Sequence, residues 1–160
     1  HGNCLIIGVD ELPEARLTAK ATNLNSLVQL EKGEEIVGCF DEVKGDTLVF
    51  FTALGNAKRT EGKEFDLRTK KTAAIALKDD DRVIAVEKQD ETAGTVIMVS
   101  KGGMSIRFAT DTVPVMGRGA GGVKCMKLDE GDRVIFAAQI ADEGEILTIS
   151  DRGYAGTARA

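Results

Sequence analysis

The chain repeats itself, and the repeat limits its fold more than any other feature. GDTLVFFTALGNAKR, from Gly45 to Arg59, lines up with AGTVIMVSKGGMSIR, from Ala93 to Arg107, with one residue of slippage at the left edge. Gly55 then falls on Gly103 and Arg59 on Arg107. A third copy, EGEILTISDRGYAGT, puts Gly153 on the same glycine, and NCLIIGVDELPEAR opens the chain with Arg16 on the shared arginine and Cys4 beside Thr47 and Thr95. The second half of each unit also recurs, as SLVQLEKGEEIVGCF, AAIALKDDDRVIAVE and KCMKLDEGDRVIFAA, with Leu30, Leu77 and Leu128 in one column. A period of roughly 43 to 51 residues belongs to propeller-like blades rather than leucine-rich or ankyrin repeats. The units run approximately 1–44, 45–92 and 93–143, with 144–160 an incomplete fourth.

Each unit is expected to supply about four strands. Leu48–Thr52, Val96–Ser100 and Ile146–Ser150 are short apolar, β-branched runs followed by a glycine turn and a further strand such as Met104–Phe108. After a loop come two more runs joined by an acidic tight turn (Glu31–Glu34, Lys78–Asp81, Asp129–Asp132), a composition suited to hairpins. Leu48–Phe51 and Val134–Ala138 are continuous apolar runs, as expected of strands buried on both faces. No helical period is sustained. The expected fold is all-β: three to four four-stranded blades in one domain, residues 1–160.

The 160 residues carry a formal net charge of −5. That excludes uniform coating of a polyanion, so any nucleic-acid surface needs its cations gathered and its carboxylates elsewhere. Cys4, Cys39 and Cys125 are odd in number, lie far apart, and have no neighbours to complete a zinc site. They read as buried small apolar side chains in a reducing cytoplasm. No stretch has the length of a membrane helix, and the first residues, His-Gly-Asn-Cys, have no signal core.

Equivalent positions in successive blades lie on equivalent surfaces. The acidic turns should therefore form one rim, while the basic positions recur elsewhere. Lys58, Arg59 and Arg107 share the strand after the glycine turn. Lys20, the cluster Arg68, Lys70 and Lys71, and Arg118 with Lys124 share the loop before the second pair of runs. Cations at such intervals around a disc would neutralise successive phosphates along a bent duplex, largely through counterion release. Gly119 and Gly122, in the run Met116–Gly122, would let backbone N–H groups approach a phosphate, or equally form a tight interblade turn.

Gly117, Gly119 and Gly122 satisfy G-x-G-x-x-G, but a dinucleotide site needs a core strand before that motif and a helix after it. Val123–Leu128 instead continues toward strand. Nor is there a credible catalytic histidine, a metal cluster or a nucleophile with an adjacent base. Tyr154 sits beside a glycine turn in the column of Asn56 and Met104. No cofactor, metal or catalytic residue is therefore assigned.

The repeat, with IRFATDTVPVMGRGAGGVKCMKLDEGDRVI from Ile106 to Ile135, resembles the C-terminal domain of the A subunit of bacterial gyrase and topoisomerase IV. That family's unit reads as an apolar strand, Gly, a basic strand, a loop, then Gly-Val followed by Lys-Leu-x-x-Gly-Asp. The resemblance implies a β-pinwheel, a propeller-like disc whose blades exchange strands and whose perimeter wraps double-stranded DNA. It implies no catalysis in this portion: the breakage–reunion domain of the same polypeptide, with a separate ATPase B subunit, would carry the chemistry. The family's gyrase box, Gln-Arg-Arg-Gly-Gly-Lys-Gly, falls on Met116–Gly122, matching at Arg118, Gly119 and Gly122, and Lys70 takes the lysine column in the second unit. About three and a half units imply part of a larger disc, or self-association through open strand edges. Two rival readings are a propeller-like protein-interaction module and a small-molecule enzyme using the glycine-rich loop.

Overall fold

In the computed structural model, every residue except Asp79, Asp142 and Ala160 is described, Arg159 by its backbone only. The strands, in chain order, are β1 (Asn3–Leu5), β2 (Thr47–Thr52), β3 (Asn56–Glu61), β4 (Lys71–Ala73), β5 (Val83–Lys88), β6 (Thr95–Ser100), β7 (Ser105–Ala109), β8 (Val123–Lys124), β9 (Val134–Ile140), β10 (Glu145–Ile149) and β11 (Ala155–Arg159). Single 3-10 turns at Val9–Glu11, Leu24–Ser26, Gly62–Phe65 and Thr110–Thr112 are the only helical elements among the described residues. None of these is long and apolar enough to cross a membrane. The all-β expectation holds.

The hairpin β2–β3 closes on Gly55 and β6–β7 on Gly103, with the Gly55 N–H bonded to the Thr52 carbonyl at 3.0 Å and the Gly103 N–H to Ser100 at 3.0 Å. The same turn closes β10–β11 at Gly153. Each of these glycines has φ near +80°, open to glycine at little steric cost. Gly2 has φ +72° too, and its carbonyl accepts from Ala74 and Ile75 as the Gly55 carbonyl accepts from Cys125 and Met126. The first unit therefore registers through Gly2 on Gly55. This corrects the sequence superposition: Cys4 takes the column of Ala57, not of Thr47, and Arg16 is displaced from that of Arg59.

The sheets are ordered β5-β2-β3-β8, β7-β6-β9, β1-β4 and β10-β11, all antiparallel. The two runs flanking the Lys78–Asp81 turn, and those flanking Asp129–Asp132, do not form hairpins. β4 pairs with β1 while β5 pairs with β2, and β8 pairs with β3 while β9 pairs with β6. The turns Lys78–Asp81 and Asp129–Asp132 thus hand the chain from one blade to the next, which is the strand exchange of a pinwheel. Because a blade takes its outermost strand from the following unit, only β5-β2-β3-β8 has the expected four strands among the described residues. Ser26–Phe40, expected as two strands, contains the Glu31–Glu34 turn but no assigned ladder.

The central strand β2 is buried on both sides, as its apolar run predicts. Val49 and Phe51, each 0% exposed, pack with Val96, Met98, Val113, Val134 and Ala137 of the next blade. Leu48 and Phe50 pack on the opposite side with Phe65, Ala74 and Ile75. Four side chains of this kind, removed from water, supply roughly 10 kcal/mol of burial. Val134–Ala138 departs from expectation: a register shift opposite Val99 and Ser100 turns Val134 and Ala137 inward and leaves Ile135 and Phe136 61% and 49% exposed. Cys4 and Cys125 are half-buried against these cores, where burial raises their thiol pKa values, whereas Cys39 is exposed rather than core filler. All three thiols are free.

Candidate nucleic-acid interface

Strand exchange places the loop of one unit against the loop of the next. β8 lies on Asn56 and Ala57 of β3, so the preceding segment, 111–122, crosses the edge of the second blade. The Arg59 N–H donates to Pro114 at 3.0 Å, the Met116 N–H returns to Arg59 at 2.7 Å, and Val115 makes a parallel bridge to Arg59. Further along, the Ala76 N–H reaches the Ala120 carbonyl at 3.3 Å. A Cβ at Gly121 would stand 2.8 Å from the Ala76 carbonyl, and one at Gly122, where φ is +84°, 2.6 Å from that of Ala57. Gly122 is thus held for close strand approach, the structural alternative left open by the sequence. Gly119 is exposed, with open space where a Cβ would stand.

The Arg118 guanidinium, about one quarter exposed, donates through Nη1 to Thr72 and has the Glu64 carboxylate 3.9 Å from Nε. Arg118 of one unit therefore meets Thr72, on the strand β4 of the unit before that Lys70 precedes and Lys71 begins. Sequence reasoning missed Thr72 and Glu64. Neither belongs to a recurring basic column, and Thr72 is identified only by its place on β4.

The other expected contacts separate. Lys58 is 0% exposed, with Nζ donating to the carbonyls of Ala74, Gly117 and Arg118 at 2.7, 3.0 and 3.1 Å, and it lies 5.3 Å from the Phe50 ring centroid. It cannot meet a phosphate from there, which corrects the expectation. Its neighbour Arg59 gives Nε to Val113 at 2.6 Å, Nη2 to Asp111 at 3.2 Å and Nη1 to Gln89 at 3.2 Å, so that guanidinium serves the interblade joint. Lys124 is exposed and donates to the Leu54 carbonyl at 2.8 Å. Arg107 stands exposed on β7, with Nε on Thr95 at 3.1 Å, and Lys20 and Arg68 are exposed on their loops.

Nor are carboxylates held away from the cations. Lys70 pairs with Glu11, and Lys71 with Glu31 at 2.7 Å and Glu34 at 3.4 Å. The hydrogen bond from Lys70 holds the Glu11 carboxyl below its ordinary pKa, and that to Glu31 raises the Lys71 ammonium. The acidic turns are also more than solvated tips. Asp81 accepts from the Leu54 N–H at 2.9 Å and from Asn56, and Asp132 accepts from the Gly102 N–H at 3.0 Å. Asp79 of the Lys78–Asp81 turn lies outside the described residues. Among the described residues, no group of three His, Cys, Asp or Glu side chains could hold a metal ion.

Residues 46–90 and 94–141 match the family described as the DNA gyrase C-terminal domain, beta-propeller. The DNA gyrase A subunit of Salmonella typhimurium is 35% identical over 96% of this chain, and that of Haloquadratum walsbyi 31% over 96%. The chain spans only 18% and 19%, respectively, of those relatives' lengths. A crystal structure of the C-terminal domain of DNA topoisomerase IV superposes with a TM-score of 0.90 at 28% identity, over 98% of this chain and 50% of that one. The DNA gyrase A C-terminal domain superposes with a TM-score of 0.69 at 30% identity, over 86% of this chain and 46% of that one. Matches to two consecutive units, on a strand-exchanged β array, show that the chain belongs to the DNA gyrase C-terminal domain family.

Proposed function

We propose that this chain binds duplex DNA along its loop edge, as an accessory domain of a type II topoisomerase, and does no bond chemistry itself. The observation that carries the reading is the junction of Arg118 with Thr72, the residue that follows Lys70 and Lys71 in the unit before. Two successive units present their basic loops side by side there, as a surface following a bent backbone requires. Arg68, Lys20, Arg107 and Lys124 are exposed, so burial does not keep them from phosphate, each on its own loop or strand. Lys70 and Lys71 exchange their carboxylate partners for phosphates on binding, so affinity falls steeply with salt. The holoenzyme supplies the breakage–reunion domain and the ATPase, in a cytoplasm that keeps the three thiols reduced.

Fluorescence anisotropy with a labelled linear duplex across a salt series tests this. Binding that weakens with salt is expected, and Arg118→Glu lowers both the affinity and the slope of log K against log salt. Absence of binding at low ionic strength overturns the reading. Ligation of nicked circles in the presence of the chain reports chiral wrapping through the linking number, and an unchanged linking number leaves binding without wrapping.

A further inference from the structure

Lys58 and Arg59 are consecutive, yet the Lys58 ammonium is buried and the half-buried Arg59 guanidinium is engaged by neighbouring backbone and Gln89. Between them they bond four carbonyls of one crossing segment: Asp111 and Val113 from Arg59, Gly117 and Arg118 from Lys58. The Lys58 ammonium also takes the Ala74 carbonyl, one residue beyond β4. All three of its N–H donors have geometrically good acceptors, on two segments that belong to different units.

The other units show why a cation stands here. In the register set by Gly2, Gly55 and Gly103, the column of Lys58 holds Leu5 in the first unit and Ile106 in the third. Leu5 is half-buried and Ile106 exposed, so of these three positions only that of the second unit is fully buried, and it holds the charge. The loop crossing over Lys58 is also the glycine-rich one, Met116–Gly122. Gly117, Gly119, Gly121 and Gly122 have no side chains to bury, and the backbone entropy of fixing them is the largest of any residue. What such a loop offers for docking is carbonyl oxygen, and a buried ammonium with three donors matches it. Over the first blade the corresponding segment is 65–71, which carries the buried Phe65 and the half-buried Leu67, and an apolar Leu5 suffices.

We infer that Lys58 is a positioning residue for the DNA-contacting loop: its ammonium ties the Gly117 and Arg118 carbonyls to that of Ala74, and so fixes the Arg118 side chain against Thr72 of β4 and sets the course of the loop at Gly119. This rests on the proposed DNA-binding role, since the loop matters to function only if duplex meets it. Arg59 secures the upstream part of the same segment. Lys58 itself touches no phosphate.

The test pairs Lys58→Met with the unaltered chain. Met keeps the stem volume, and the column tolerates apolar residues elsewhere. Amide hydrogen exchange without DNA should accelerate at residues 117–122 and stay unchanged in β6 and β9. Duplex affinity should fall about tenfold, the scale of a lost charged hydrogen bond, with the salt slope preserved. Unchanged exchange and unchanged affinity overturn the inference. A slope reduced by about one also overturns it, because that marks a lost phosphate contact. If the variant does not fold, nitrogen-15 NMR of the Lys58 ammonium in the unaltered chain decides. Three carbonyl bonds require slowly exchanging Nζ protons, and rapid exchange overturns the clamp. Lack of duplex binding by the unaltered chain defeats the DNA reading alone and leaves the exchange and NMR results to judge the clamp.

Discussion

Asn56 donates its side-chain amide to Asp81 at 3.1 Å, binding the glycine turn of the second blade to the acidic turn where the chain leaves for the same blade's outer strand. The other Asp81 oxygen takes the Leu54 N–H at 2.9 Å. The first unit repeats the relation with Asn3 and Glu34 at 2.9 Å, and the third with the Gly102 N–H and Asp132. A strand-exchanged array needs such clips, because the two strands leaving an acidic turn do not hold each other.

Asp81→Ala strands the Leu54 N–H and the Asn56 amide in a half-buried site. The expected cost is about 1–3 kcal/mol, the scale of leaving donors unsatisfied. Urea unfolding gives it as a lower midpoint at unchanged m-value. Asp81→Glu should recover part of the loss, since Glu34 performs the same task in the first unit.

Asp132 predicts an acid-limb effect. The Ser100 hydroxyl, with the N–H groups of Arg133 and Gly102, holds its carboxyl below the ordinary value. A carboxylate whose folded pKa is lowered contributes its stability in full above the unfolded value of about 3.9, and loses it as pH falls through the folded value. Asp132→Asn should therefore unfold at lower urea than the unaltered chain at pH 7, with the gap closing on acidification below about 3.9. A gap independent of pH would contradict this.

What the sequence could and could not reveal follows from which interactions are local. The glycine turns at Gly55, Gly103 and Gly153 are local, and their spacing disclosed the units. In the first unit Gly2-Asn3 repeats Gly55-Asn56, but superposing the apolar run after it on β2 as an opening strand moves the register away from that match. Strand exchange is not local. An acidic turn has the same composition whether its flanking strands pair together or with neighbours, so a hairpin was expected where β4 and β5 part. Burial of Lys58 was equally hidden, because its three acceptors are backbone carbonyls 16, 59 and 60 residues away. The pairing of Lys70 and Lys71 with Glu11, Glu31 and Glu34 depends likewise on distant turns meeting.

Gly62 and Gly119 make a contrasting pair. A Cβ on Gly62 would lie 1.6 Å from the Val43 carbonyl oxygen, on backbone that cannot yield without moving the start of β2. Gly62→Ala should cost about 3 kcal/mol or more, as expected for overpacking against main chain. At Gly119 a Cβ meets open space, so Gly119→Ala should leave the thermal midpoint unchanged. If it nevertheless weakens duplex binding, close approach of DNA backbone to the loop is the physical cause.

The buried ammonium makes the last prediction. Desolvation, and then repulsion from Arg118, lower the Lys58 pKa to about 8, while Glu64 opposes them. In the unfolded chain the same group titrates near 10.4. Between those values the unfolded chain binds more protons than the folded one, so the contribution of Lys58 to stability rises with pH across that window. At about 1.4 kcal/mol for each unit of separation, the gain from about pH 7.5 to about 9.5 is on the order of 2 kcal/mol. Lys58→Met lacks that titration. Urea unfolding of both proteins at the two pH values isolates it, since every other group is shared: the unaltered chain should gain on the variant as pH rises. A constant difference would mean that Lys58 titrates alike in both states, the three carbonyl bonds offsetting the desolvation of its ammonium.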